Sequence, residues 1–207
     1  MASNRFYLAC LRDTVGTNIS FHRRDGRGYS TDTDQAHVYT RKEAQRAWDN
    51  GREFDLPLCA DRVDALTVMH VDHQGLPLQT VLRDGCRHYV GFDDYSRDGN
   101  DVYWFQGHGP KTTDFMKAVI FEAPGRYCGL IWLPFDVADA LKRRTLSRGK
   151  INRRTMTQGA GLVTPELIKR ERRRKDSGKT RFNCPDCGRI AWQLNPYIFE
   201  GCRNLAC

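Results

Sequence analysis

Four cysteines crowd the end of this chain: Cys184 and Cys187, then Cys202 and Cys207. The first pair lies in Cys184-Pro-Asp-Cys187-Gly188, a knuckle in which proline stiffens the turn and glycine admits the positive φ that points backbone amides at sulfur. The spacer before the second pair is long enough for a hairpin, so four thiolates can reach the corners of a tetrahedron. No histidine follows His108, so the site is all cysteine. With four protein ligands it keeps no position for water, and the role it suits is structural, around one zinc ion. Burying Ile190, Trp192, Leu194, Tyr197 and Phe199 cannot alone stabilise so small a unit. Metal binding supplies the deficit, on the order of 10 kcal/mol in peptide zinc sites.

The remaining cysteines, Cys10, Cys59, Cys86 and Cys128, are scattered singly. A framework of disulfides belongs to short secreted chains with little core. This chain has 207 residues, of which 40% are hydrophobic and 11% aromatic, enough for a packed body. The four scattered thiols therefore read as small buried hydrophobes or turn residues. Near the start only Phe6 to Leu11 is apolar, too short for a signal-peptide core or a membrane span. The expectation is a cytoplasmic protein without membrane contact.

Charge is uneven. Residues 141–183 hold fifteen Lys or Arg against three acids, whereas residues 1–140 hold sixteen against twenty. The positive excess thus falls in one connecting stretch, an electrostatic footprint suited to phosphates. Of these cations, the ones expected to meet nucleic acid are Lys142, Arg143, Arg144, Arg153, Arg154, Lys169, Arg170, Arg172, Arg173, Arg174, Lys175, Lys179 and Arg181. A solvated basic linker is the plainer alternative.

Upstream, short β-prone runs alternate with turns. Asp25-Gly26 marks a hairpin. Thr40-Arg-Lys-Glu43 has the spacing of a capping box, opening a helix that runs to Asn50 and places Trp48 on the sheet. Asp64 to Asp72, Leu78 to Arg83, Arg87 to Phe92 and Asp101 to Gly107 read as strands of a meander. Ala118 to Ala123 and Arg126 to Leu133 read as another pair, reversed at Pro124-Gly125. Asp136 reads as the cap of a short helix ended by Lys142, Arg143 and Arg144, cations being favourable at a helix C-terminus. No internal repeat is visible. The predicted architecture is an α+β body over 1–145, mostly antiparallel sheet with a few short helices; a basic linker and helix over 146–183, the helix starting at Thr164-Pro165-Glu166; and a four-cysteine zinc ribbon over 184–207.

The stretch Lys179-Thr-Arg-Phe-Asn-Cys184-Pro-Asp-Cys187-Gly-Arg-Ile-Ala191-Trp192 resembles the zinc ribbon that closes SprT-like proteins, including forms carried by phages and plasmids, as does the basic run before it. In that family the ribbon follows a metallopeptidase helix bearing His-Glu-x-x-His. That motif is missing here, so the resemblance implies the four cysteine ligands and no peptidase activity. Gly28-Tyr-Ser-Thr31, Ala36-His-Val-Tyr-Thr40 and Glu43-Ala44 are similar to a small module of phage-type hypothetical proteins, which implies no chemistry.

Other chemistry fails on spacing. His70 and His73 enter a turn from opposite faces of a strand, unsuited to share a metal. Asp94, Ser96, Asp98 and Gly99 open like a calcium loop, but Phe105 stands where a bidentate glutamate is needed. The aromatics Tyr89, Tyr103, Trp104 and Phe105 read mostly as core. No catalytic residue is assigned. The first expectation is a nucleic-acid-binding accessory protein of a phage or mobile element, its basic arm on the phosphate backbone of DNA or RNA. The second is a phage-encoded inhibitor or adaptor, of the anti-CRISPR type, that binds a host protein complex. The third is an enzyme with an unrecognised site in the body, which a cleft lined by titratable side chains would favour.

Overall fold

A computed structural model describes residues 3–175, 178–195, 197–202 and 207, with the backbone alone for 171–175. Its elements in chain order are β1 (Phe6–Val15), β2 (Asn18–His22), β3 (Tyr29–Ser30), α1 (Arg41–Asn50), β4 (Asp55–Cys59), α2 (Ala60–Asp64), β5 (Val68–Val71), β6 (Tyr89–Asp98), β7 (Asp101–Trp104), β8 (Leu130–Pro134), α3 (Phe135–Asp139), β9 (Lys142–Thr145), α4 (Arg153–Met156), α5 (Glu166–Lys175), β10 (Thr180–Asn183) and β11 (Ile190–Gln193). The fold is α+β with antiparallel sheets. It divides into one unit over Met1–Val163 and another over Thr164–Cys207.

The first unit is built twice. β1 takes β2 and β4 as neighbours, and β6 takes β7 and β8. β4 and β8 each run straight into a short helix, α2 or α3, and then into a further strand, β5 or β9. The registers agree: Phe6 faces Cys59 as Tyr89 faces Pro134, and Ala9 faces Phe21 as Phe92 faces Trp104. Phe6 also bridges Tyr39 as Tyr89 bridges Phe121. Asp32 and Asp114 both cap the short 3-10 turns that precede those bridges.

The halves clasp each other. β5 pairs with β9, His70 facing Arg143 and Val68 facing Thr145 about a central Met69–Arg144 pair. Asn18 of the first half bridges Ser147 of the second, and Asp101 of the second bridges Asp72 of the first. This exchange is what an approximate twofold axis through the β5–β9 pair produces. The β1–β2 and β6–β7 turns also meet: a Cβ on Gly99, at φ +62°, would lie 2.4 Å from the Gly16 nitrogen. Only glycine accepts both that φ and that approach.

Between the halves lies a buried polar knot. Asp101 is fully buried; its carboxylate meets His70 Nδ1 at 2.5 Å and Arg143 Nη2 at 2.5 Å and accepts from the Asn18 amide. An apolar core cluster includes Val71, Phe92, Trp104, Phe115, Ile131 and Leu133. His70 and His73 hold no shared site, since His73 turns its Nδ1 to the Asn100 carbonyl.

Several local expectations hold. Thr40 and Glu43 form a reciprocal capping box on α1, and Ala44 and Trp48 are buried. Phe21 pairs with Ser30 and His22 with Tyr29 around the Asp25-Gly26 turn. The turn expected over Asp94 to Gly99 is confined to Gly99 and Asn100, since Asp94 to Asp98 belong to β6; the Asp98 carboxylate accepts from the Thr17 amide at 2.8 Å.

Others are corrected. Leu78 to Arg83 is not a strand; Leu78 and Leu82 are exposed, while the Val81 amide donates to the Trp132 carbonyl and the Thr80 hydroxyl accepts from the Trp132 amide at 3.1 Å. Ala118 to Ala123 contributes one bridge at Phe121 rather than a strand. Asp136 does not cap α3, and its carboxylate binds Arg83 at 2.7 Å instead. Lys142, Arg143 and Arg144 begin a strand instead of ending a helix, because pairing with β5 places their side chains beside acids of the body. Residues 146–163, expected as linker, belong to the first unit: Leu146, Met156, Ala160 and Leu162 are buried, and Thr157 donates to the Pro57 carbonyl at 3.0 Å. These anchors sit among turns without a period, so no pattern announces them. Among the described residues no helix is long and apolar enough to cross a membrane.

Candidate metal centre

In the second unit β10 and β11 form an antiparallel hairpin, Arg181 facing Trp192 and Asn183 facing Ile190. Cys184 follows β10 directly. Its amide donates to the Arg189 carbonyl at 2.8 Å and its carbonyl accepts from the Gly188 amide at 2.9 Å, which folds the knuckle. Gly188 sits at φ +69° with open space where a Cβ would be, so the backbone angle alone demands glycine.

The spacer after β11 is tied down by two polar residues that sequence reasoning passed over. Gln193, buried, donates to the Asn195 carbonyl at 2.7 Å and to the Ile198 carbonyl, and accepts from the Glu200 amide at 2.8 Å. The Asn195 side chain accepts from the amides of Tyr197 and Ile198. These bonds return the chain to Cys202. The one sequence signal was positional: Gln193 occupies an inward register of an alternating strand, where a polar residue needs partners.

The four sulfurs then converge. Cys184 Sγ lies 3.5 Å from Cys207 Sγ, and Cys187 Sγ 3.6 Å from Cys202 Sγ. All four lie within 4.8 Å of one another. A disulfide needs about 2.05 Å, whereas metal–sulfur bonds of about 2.3 Å set a tetrahedral edge near 3.8 Å. The spacing is therefore that of thiols disposed around a metal ion. The Arg189 amide donates to Cys187 sulfur, and this bond, aided by the neighbouring thiols, pulls its pKa down to about 6. Cys207 is pushed up, first by its hydrogen bond with Cys184. One cluster thus stabilises a thiolate at one corner while another keeps its proton, the state that a dication converts to four thiolates.

Burial in the hairpin follows strand alternation. Phe182 packs near Phe199, their rings 6.2 Å apart. The opposite face, with Arg181, Asn183, Ile190 and Trp192, is exposed. The expected apolar support from Ile190, Trp192, Leu194 and Tyr197 is corrected accordingly, as all four are exposed. Of that set Phe199 alone meets an aromatic partner, Phe182, among the described residues.

The expected cations separate into groups. Lys142 pairs with Asp139 at 2.5 Å, Arg143 with Asp101, and Arg144 with Asp34 at 3.0 Å and Asp64 at 2.9 Å. Their charge is matched inside the first unit. Arg153 and Arg154 are exposed on α4. Lys169 pairs with Glu166 at 2.6 Å along α5, and Arg170 is exposed. Arg172, Arg173, Arg174 and Lys175 continue α5, and their side chains lie outside the described residues. Lys179 and Arg181 are exposed at β10. No protein-family model, curated protein or solved structure matches the chain, so of the expected SprT-like ribbon only the clustering of the four cysteines is supported.

Proposed function

We propose that the four cysteines hold one structural zinc ion and that the ribbon so formed anchors a cationic segment on the phosphate backbone of nucleic acid. The convergence of Cys184, Cys187, Cys202 and Cys207 supports the first part, since an all-thiolate tetrahedral site selects zinc or iron over hard cations. Support for the second part is the run Lys169 to Lys175 on α5, with Lys179 just before β10 and Arg181 on it, all within the same unit. Such contacts read charge rather than sequence, and they release counterions.

The test is a salt titration of the intact chain on duplex and single-stranded oligonucleotides, with elemental analysis of the same preparation. The expected result is one zinc per chain and a log–log slope of about −0.9 per phosphate neutralised on duplex DNA. Replacing Arg170, Arg172, Arg173 and Arg174 by alanine should flatten the slope. Unchanged affinity after that replacement defeats the nucleic-acid reading, and a metal-free or iron-loaded chain defeats the zinc assignment.

The exposed apolar set Ile190, Trp192, Leu194 and Tyr197 favours a second reading, a phage-encoded inhibitor or adaptor whose ribbon docks on a host protein complex. Its signature is co-purification of a defined complex free of nucleic acid, lost on replacing Trp192 by alanine.

A further inference from the structure

The duplication supplies an internal comparison. Phe21 and Trp104 hold the same register, facing Ala9 and Phe92, so His22 corresponds to Phe105. Tyr39 and Phe121 hold the same bridge position, so His37 corresponds to Val119. In the second half the space between these positions is filled. Phe105 stacks on Phe121 at 5.7 Å, Tyr127 covers Phe105 at 4.8 Å, and Trp132 meets Phe121 edge-on at 5.1 Å.

In the first half the same space is open. A cavity of about 360 Å³ has His22, Tyr29, His37 and Tyr39 in its wall. It adjoins a second, of about 540 Å³, that shares His37 and Tyr39 and runs along α1 to Arg46. The scaffold is common to both halves, so the fold does not demand the opening. Aromatic filling is what packing favours, and a histidine-lined void gives up that dispersion energy. Local departures from the packing rule concentrate at functional sites.

We infer that this cavity binds a nucleoside phosphate. Its walls are flat rings set edge to face, His22 with Tyr29 at 4.9 Å and His37 with Tyr39 at 4.4 Å, suited to an aromatic base. Cations outnumber acids at its borders: Arg23 stands in the wall with Asp25, Arg24 and Arg27 lie on the same loop, and Arg46 is at the far end. Glu43, the acid nearest Arg46 in this wall, has its carboxylate engaged by the Thr40 amide and hydroxyl, both at 2.8 Å. Gly26 and Gly28, at φ +64° and +85°, have nothing within 4 Å of a built Cβ, which leaves the loop backbone open to an anion.

His22 is also held in a set orientation. Its Nε2 lies 3.1 Å from Asp55 Oδ1, and Asp55 is buried and fixed by Arg52 Nε at 2.8 Å. In the neutral imidazole this contact places the proton on Nε2, and Nδ1 then offers an acceptor to a ribose hydroxyl or an exocyclic amine. The volumes fall within the roughly 300–1,000 Å³ of small-molecule sites.

The test is fluorescence titration of the full chain with N-methylanthraniloyl-AMP, displaced by AMP, adenosine or inorganic phosphate. AMP should displace the probe at a concentration at least tenfold below either fragment. The double substitution His22→Phe, His37→Val installs what the second half carries at these positions, so it should keep the melting temperature and weaken binding at least tenfold. Arg23→Gln, a loop change, should weaken it severalfold, and Val119→Ala in the second half should leave it unchanged. No displacement by millimolar AMP, equal displacement by phosphate alone, or full binding by the double variant overturns the assignment.

Discussion

Met69 stands opposite Arg144 at the centre of the strand pair that joins the two halves. Each half therefore completes itself with a strand that also belongs to the other, and the knot beneath that pair carries the joint. Asp101 receives His70, Arg143 and Asn18 there at zero exposure. Replacing Asp101 by alanine leaves the Arg143 charge facing a partner at 3.5 Å, Asp72, in place of the one at 2.5 Å. Removing one member of a buried charge pair costs about 3–5 kcal/mol. Urea denaturation should show that loss in one cooperative transition, because both halves depend on the knot; two separated transitions would contradict the clasp.

The turn contact on the axis makes its own prediction. A Cβ on Gly99 would meet the Gly16 nitrogen at 2.4 Å and the Val15 carbonyl carbon at 2.6 Å, and a Cβ on Gly16 would meet the Gly99 nitrogen at 2.5 Å. All of these are backbone atoms that cannot rotate away. Gly99→Ala should therefore cost more than the roughly 1–2 kcal/mol of the left-handed conformation itself. Gly26→Ala, also at positive φ but with nothing within 4 Å, should cost only that smaller amount. Equal losses in the two variants would show that the halves do not touch here.

What the sequence disclosed was local. The capping box at Thr40, the Asp25-Gly26 turn and the cysteine knuckle each depend on residues a few positions apart, where backbone chemistry acts directly. The duplication stayed hidden because its halves preserve register while exchanging side chains: Leu8 stands where Gly91 does, and Ala9 where Phe92 does. One half also carries α1 where the other has none. Val63-Asp-Ala-Leu66 and Ala138-Asp-Ala-Leu141 keep a trace of it, too short to be heard above chance. Lys142, Arg143 and Arg144 misled for a related reason. Three adjacent cations after a short apolar stripe look like a helix end, and only the distant acids Asp34, Asp64, Asp72 and Asp101 make them a strand.

Glu43 carries a pH dependence whose sign can be worked out. The Thr40 amide, then the Thr40 hydroxyl, donate to its carboxylate and hold its pKa below the ordinary 4.5. A carboxyl depressed in the folded state contributes stability that is complete above the unfolded value and is lost as pH falls through the folded one. The capping box should thus weaken only below about pH 4.5. Thr40→Ala removes the hydroxyl and should cost about 0.5–2 kcal/mol at neutral pH while raising the Glu43 pKa seen by carboxylate NMR. An unmoved Glu43 titration in that variant would show that the hydroxyl plays no part.

Removing metal should act on one unit alone. The second unit has few buried apolar side chains among its described residues, with Ile190, Trp192, Leu194 and Tyr197 all exposed, so the proposed zinc supplies most of its folding energy. The first unit is held by Phe6, Trp104, Leu133 and their neighbours, all buried within residues 1–163. A strong chelator should abolish dispersed amide signals of residues 178–202 and leave those of the first unit in place. Cys184→Ser should have the same effect in untreated protein, since that thiol is buried in the knuckle. Cys207→Ser, at an exposed position, should weaken metal retention and leave a foldable ribbon when zinc is in excess. Amide signals of residues 178–202 that survive chelation would mean that hydrogen bonds such as those of Gln193 suffice, and that the sulfurs converge for another purpose.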